Sequence, residues 1–159
     1  MTLIQIQESV RARADAITLS RADWPCRRGC DECCRHLAAP PRVSEPEWRA
    51  IAVALELVAN DVLEPVRARI RESAGAVRPV VCPLLDLDSG TCLVYQARPV
   101  ACRAYGFYAE GEFVLGCSRI ESVAADSPEV IWGNHRVLED ELHRLGPATE
   151  LAEWLEHST

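Results

Sequence analysis

Eight cysteines, and above all where they stand, constrain this chain more than any other feature. Cys26, Cys30, Cys33 and Cys34 fall within nine residues, whereas Cys82, Cys92, Cys102 and Cys117 are spread along the following half of the chain. An even number of cysteines is compatible with disulfides, but three arguments oppose them. A chain of 159 residues, 48% hydrophobic, is long enough to bury a core without covalent staples. Residues Met1 to Glu8 lack the basic start, apolar stretch and cleavage site of a secretory signal, so a cytoplasmic, reducing setting is expected. Neighbours such as Cys33 and Cys34 have Cα atoms about 3.8 Å apart, shorter than the usual disulfide span. Metal coordination is the favoured reading.

A cluster of thiolates needs a cation, because several negative charges within a few ångströms repel strongly unless neutralised. Soft thiolates select zinc, copper(I) or iron–sulfur clusters over magnesium or calcium. Simple zinc fingers present two short Cys-x2-4-Cys loops, and here only one short loop exists. The later four cysteines are separated by nine, nine and fourteen residues, so each comes from a different turn. All eight are candidate ligands, and the centre is an iron–sulfur cluster, of the [4Fe–4S] type first, or zinc. Vicinal Cys33-Cys34 is the most informative element. In an extended backbone the two side chains point to opposite faces, so the pair addresses two sites, or one ligates while the other supports. Cys26-x3-Cys30-x2-Cys33 also matches the radical-SAM spacing, but too few strands alternate with helices for the barrel such enzymes need.

Composition excludes other classes. Lys and Arg number 17 against 24 Asp and Glu, a net charge of −7, which opposes a surface that tracks nucleic-acid phosphates. Arg27-Arg28 is too short a basic run to reverse that. No apolar run approaches the roughly 20 residues that span a bilayer. The expected partner is the metal ion or cluster, with no nucleic acid and no membrane.

The expected fold is α+β and mostly helical, a single domain over 1–159 with a cysteine-cluster core at about 24–120 and C-terminal helices within 127–157. Leu3, Ile6, Val10, Ala14 and Ile17 recur at helical spacing, and that helix ends near Ser20. Pro25 and Gly29 predict a tight loop around the first cysteines, running into a helical turn at Cys33. Ser44-x-x-Glu47 is a capping box opening a helix through Trp48, Ile51 and Leu55. Asn60 separates it from a second helix carrying Leu63, Val66 and Ile70. Asp88-Ser89-Gly90 predicts a hairpin turn joining strands at Cys82 and Cys92. Pro99 opens a short helical turn at Cys102, and a second hairpin around Glu110-Gly111 delivers Cys117. Ser127-Pro128 predicts a helix start, that helix carrying Ile131, His135, Leu138, Leu142 and Leu145. A last helix holds Leu151, Trp154 and Leu155.

At this point the ordered motifs carry a resemblance. Cys26, Cys30, Cys33-Cys34, then Cys82-Pro83-Leu84-Leu85-Asp86, Gly90-Thr91-Cys92-Leu93-Val94-Tyr95, Arg98-Pro99-Val100-Ala101-Cys102-Arg103-Ala104-Tyr105 and Cys117 resemble the YkgJ-type cysteine-cluster family. The resemblance runs over roughly residues 24 to 120 and implies a zinc- or iron-chelating domain, often an iron–sulfur protein. The same domain occurs in flagellin lysine-N-methylase, where the resemblance implies an iron–sulfur centre and methyl transfer to lysine. One departure is visible: that family's first motif has two residues between its first cysteines, whereas three separate Cys26 from Cys30. The present chain is short for the methylase, so its reaction does not transfer by analogy.

Arg98 and Arg103 flank Cys102 and are candidate cofactor-binding residues, whose guanidinium groups offset thiolate charge or hold an anion. The plainer reading is surface ion pairing. His36, two residues past Cys34, is more readily an exposed or supporting group than a ligand. His135 and His143 share a predicted helix face and are read as packing residues, and His157 lies in the tail. Trp24, Tyr95, Tyr105 and Phe107 either shield a cluster from water or are ordinary core aromatics. Turn capping explains Asp88 more simply than general-base chemistry. Three functions follow: a redox or structural metal protein, an iron–sulfur enzyme of group-transfer type, or a zinc-stapled interaction module.

Overall fold

A computed structural model describes residues 1–158. Helices are α1 (Leu3–Ser20), α2 (Glu32–Arg35), α3 (Glu45–Glu56), α4 (Asn60–Glu72), α5 (Val100–Ala104), α6 (Ser118–Ala125), α7 (His135–His143) and α8 (Leu151–His157). Strands are β1 (Arg42–Val43), β2 (Leu85–Asp86), β3 (Thr91–Cys92), β4 (Tyr108–Glu110), β5 (Phe113–Val114), β6 (Gly133–Asn134) and β7 (Thr149–Glu150). A single 3-10 turn covers Tyr95–Ala97. The fold is α+β and mostly helical, as the sequence predicts.

The chain forms two compact units, each assembled from separated stretches. The first contains Met1–Arg28 and Pro99–Leu145. Its core gathers Ile6, Val10 and Ile17 of α1 with Trp24, Val100, Phe107, Tyr108, Ile120 and Leu138. The α1 residues fall on one stripe at steps of four and seven, so winding the helix buries all three together. Each such side chain removed from water contributes roughly 1.5–3 kcal/mol. Thr2 caps α1, its backbone N–H donating to Gln5 Oε1 at 2.8 Å. Strands β4 and β5 form the expected hairpin, Ala109 opposite Val114. β4 also pairs in parallel with β6, Tyr108 opposite Gly133.

The second unit contains Gly29–Arg98 and Gly146–Thr159, of which 29–98 and 146–158 are described. Its core joins Trp48, Ile51 and Leu55 of α3, Leu63, Val66 and Ile70 of α4, and Leu151 and Leu155 of α8. The capping box at α3 is present: Ser44 donates from its N–H at 2.9 Å and its Oγ at 2.8 Å to Glu47 Oε2, so this buried carboxylate is satisfied. Strands β1 and β7 pair Arg42 with Glu150. Strands β2 and β3 pair Leu85 with Cys92, the hairpin the Asp-Ser-Gly sequence predicts.

One helix starts later than the sequence predicts. Ser127 does not cap a helix containing Ile131, because α7 begins at His135 with Asn134 Oδ1 accepting from the Val137 N–H at 3.2 Å. Ser127 instead closes α6, an element the reading omitted. Its Oγ donates to the Val123 carbonyl at 2.7 Å and accepts from Arg21. The hydroxyl that would have faced forward into a new helix is thus spent on the preceding one, and Ile131 lies exposed.

Candidate metal centre

The first cysteine group is divided between the units. Cys26 belongs to the first, while Cys30, Cys33 and Cys34 belong to the second, the chain passing between them at Arg28 and Gly29. The additional residue between Cys26 and Cys30 lies in that passage, where Gly29 takes φ +90°. A left-handed backbone there suits glycine, which has no Cβ to clash.

In the second unit the cysteines rest on short, well-anchored pieces. Asp31 precedes α2, and its carboxylate accepts from Arg35 Nε at 2.6 Å, an i,i+4 pair across the turn that carries Cys33 and Cys34. Arg35 also donates to the Leu87 carbonyl at 3.4 Å, tying that turn to the β2–β3 hairpin. The Cys82 N–H donates to the Cys34 carbonyl at 2.7 Å, which sets the start of the hairpin beside the vicinal pair. From α4, Arg69 donates to the carbonyls of Pro83 at 3.3 Å and Leu85 at 3.2 Å. Cys82 and Cys92 both pack on the second unit's core. Asp86, rather than Asp88, organises the hairpin turn: it accepts from the Asp88 N–H at 3.3 Å and the Ser89 hydroxyl at 2.5 Å. Those contacts, the Ser89 hydroxyl foremost, hold the Asp86 carboxyl below its usual range.

Cys33 and Cys34 lie in the helical turn α2 rather than in extended backbone. The side-chain interaction with Cys34, and then burial, holds the Cys33 thiol far above the ordinary thiol range. Cys92 is also pushed up, chiefly by burial, with the charge of Cys33 adding to it; the Val94 N–H and the Arg98 guanidinium act in the opposite sense. Arg98 is fixed in place by stacking 3.7 Å from the Tyr95 ring centroid and by donating from Nε to the Tyr95 carbonyl at 3.1 Å. The Arg98 charge thus acts on Cys92.

In the first unit, Cys26 and Cys117 pack on the core, and Cys102 lies exposed on α5, one residue before Arg103 in its last turn. Cys117 is the residue that caps α6. Gly106 makes room for Cys26, since a Cβ there would run into its sulfur. The Gly106 carbonyl accepts from Trp24 Nε1 at 3.1 Å, and Trp24 stacks on Phe107 with ring centroids 6.2 Å apart. These two aromatics line the core beside Cys26, whereas Tyr95 serves Arg98.

The donor set suits a soft metal. Cys33, Cys34 and Cys92 lie within one unit, partly shielded from water, and the Arg98 guanidinium acts on the third. Among the described residues, no three His, Cys, Asp or Glu side chains come together in a group that could hold a metal ion. His36 turns to its own helix, Nδ1 lying 2.9 Å from the Glu32 carbonyl. His143 and His157 make the same i,i+4 contact with Glu139 and Glu153. Reading the sequence missed Asp31 and Arg35 as positioning residues, although their i,i+4 spacing was a usable signal.

No curated protein and no solved structure matches the chain. One family model does, over residues 25–124: CxxCxxCC, "Putative zinc- or iron-chelating domain". That stretch covers well over half of the sequence and contains all eight cysteines. The chain belongs to this family of zinc- or iron-chelating cysteine domains.

Proposed function

We propose that the cysteines hold an iron–sulfur cluster and that the protein has a redox role, electron transfer first. The observation that carries this reading is the seating of the β2–β3 hairpin against the vicinal pair, the Cys82 N–H donating to the Cys34 carbonyl at 2.7 Å. Consecutive thiols suit a centre of several metal atoms, because each sulfur can take its own iron; a lone tetrahedral zinc would have to accept both within one small ring. Cys33, Cys34, Cys82 and Cys92 form the leading ligand set, with Cys30 at the entrance to the same turn. Cys26, Cys102 and Cys117 are proposed ligands within the first unit.

When bound, a cluster supplies one-electron chemistry. The chain's own residues supply the sulfurs and hold them on the α2 turn and the hairpin. Packing on the second unit's core limits water at Cys82 and Cys92, and Arg98 lowers the cost of negative charge at Cys92. Thiols pushed upward are protonated at neutral pH, so metal uptake releases protons.

The test is iron, zinc and acid-labile sulfide per chain on anaerobically purified protein. Iron with matching sulfide and a sulfide-to-iron absorption band supports the reading. Stoichiometric zinc in colourless protein overturns it and leaves a structural metal domain.

A further inference from the structure

The first unit contains a cavity of about 440 Å³ that the cysteine chemistry leaves unused. It opens between α1 and α7, with Tyr108 of β4 reaching it from below. On α1, the stripe next to the one that fills the core consists of Ser9, Ala12, Arg13 and Ala16. Two alanines four residues apart leave space where larger side chains would have closed the gap between the helices. Gly133 contributes in the same way, since a Cβ there would come within 2.5 Å of the Tyr108 ring.

Polar groups of both signs converge on this space. Arg13 is half-buried and donates from Nη1 to the Ile131 carbonyl at 3.2 Å, which pins it at the rim with further N–H groups to offer. Glu141 of α7, also half-buried, faces the cavity. Tyr108 and Ser9 both line the cavity, and the charges of Arg13 and Glu141 act on the Tyr108 phenol in opposite senses. Burial, the larger effect, keeps that phenol protonated above its usual range, so it can donate a hydrogen bond. Neither Arg13 nor Glu141 takes part in an ion pair among the described residues.

A simple anion would satisfy Arg13 and be repelled by Glu141, and a simple cation the reverse. A ligand carrying both charges on neighbouring atoms satisfies both. We propose that this cavity binds a free α-amino acid, its carboxylate received by Arg13 and Tyr108, its ammonium by Glu141, and its side chain against Ala12, Ala16 and Val137. The volume lies within the range of small-molecule pockets. This site is independent of the cysteines and of any metal they hold.

The test uses the full chain and each of the twenty free amino acids, by saturation-transfer NMR and calorimetry. At least one binds saturably, and Arg13→Gln and Glu141→Gln each weaken it by roughly tenfold, the effect of losing one charged contact. Its N-acetyl derivative, which lacks the ammonium, binds the native chain as weakly as the parent binds Glu141→Gln, and Glu141→Gln weakens it no further. Its amide, which lacks the carboxylate, behaves in the corresponding way with Arg13→Gln. These ligand comparisons with the native chain need no variant to fold. Saturable binding by none of the twenty, or equal binding of parent, N-acetyl and amide forms, overturns the assignment.

Discussion

Replacing Gly90 with alanine probes how firmly the hairpin tip is held against the vicinal cysteines. Gly90 has φ +66°, and an added Cβ would lie 3.0 Å from Asp31 Oδ2. A left-handed backbone costs a residue with a side chain about 1–2 kcal/mol. The lower entropy of the unfolded alanine chain returns about 0.4–1 kcal/mol of that. The carboxylate must also give by a few tenths of an ångström, and it is gripped by Arg35 at 2.6 Å. Both partners of that ion pair are partly exposed, so loosening it adds only about 0.2–1 kcal/mol. The expected loss is about 1–2 kcal/mol, which in a chain of this length lowers Tm by roughly 2–8 °C. Urea unfolding of Gly90→Ala, Asp31→Ala and the double variant separates the two terms, because the side-chain contact vanishes when Asp31 is absent. In the Asp31→Ala background the Gly90→Ala cost shrinks to the backbone part. An unchanged midpoint in Gly90→Ala, or the same cost in both backgrounds, would refute the reasoning.

Three further outcomes are expected. Cys33→Ser and Cys34→Ser each lower metal per chain and the denaturation midpoint together, since metal-binding free energy is folding free energy here; elemental analysis showing full occupancy in both variants removes the shared role of the pair. Arg98→Ala pushes the Cys92 thiol further up and slows its alkylation severalfold in metal-free protein at neutral pH, measured by mass spectrometry of the modified peptide, whereas an unchanged rate means that Arg98 does not act on Cys92. Asp86 has a depressed carboxyl, so its contribution is complete above the ordinary carboxyl range and is lost as pH falls through its lowered value. Asp86→Asn should therefore flatten the acid limb of the stability profile, and an unaltered limb contradicts that turn's role.

What could be read from the sequence was what neighbours in sequence decide. The Ser44–Glu47 box, the α1 stripe and the Asp-Ser-Gly turn depend on residues a few positions apart, and each is present in the structure. Ser127-Pro128 carried the same kind of local signal and misled, because the serine hydroxyl had two directions to choose from and Arg21, more than a hundred residues earlier, favours the backward one. The parallel pairing of β4 with β6 rests on Gly133 lying beneath the Tyr108 ring, which no local pattern announces. The backbone of the vicinal cysteines was not legible, since the same two residues fit an extended segment and the helical turn α2 that forms. The action of Arg98 on Cys92, six residues back, is likewise not announced by any local pattern.

The interleaving of the two units has a practical consequence for anyone trimming this protein. A fragment cut to the family's boundaries, residues 25–124, would discard α1 and with it Ile6, Val10 and Ile17, three of the residues that close one core. The same cut removes Leu151 and Leu155 from the other. Exposed cavities of that size invite aggregation and loss of the thiol scaffold, so deletion mapping would report on lost packing before it reported on chemistry. Rejoining Met1–Arg28 to Pro99–Leu145 would keep the first core together but leave out Cys30, Cys33, Cys34, Cys82 and Cys92, so neither end nor middle can be trimmed without losing packing or thiols.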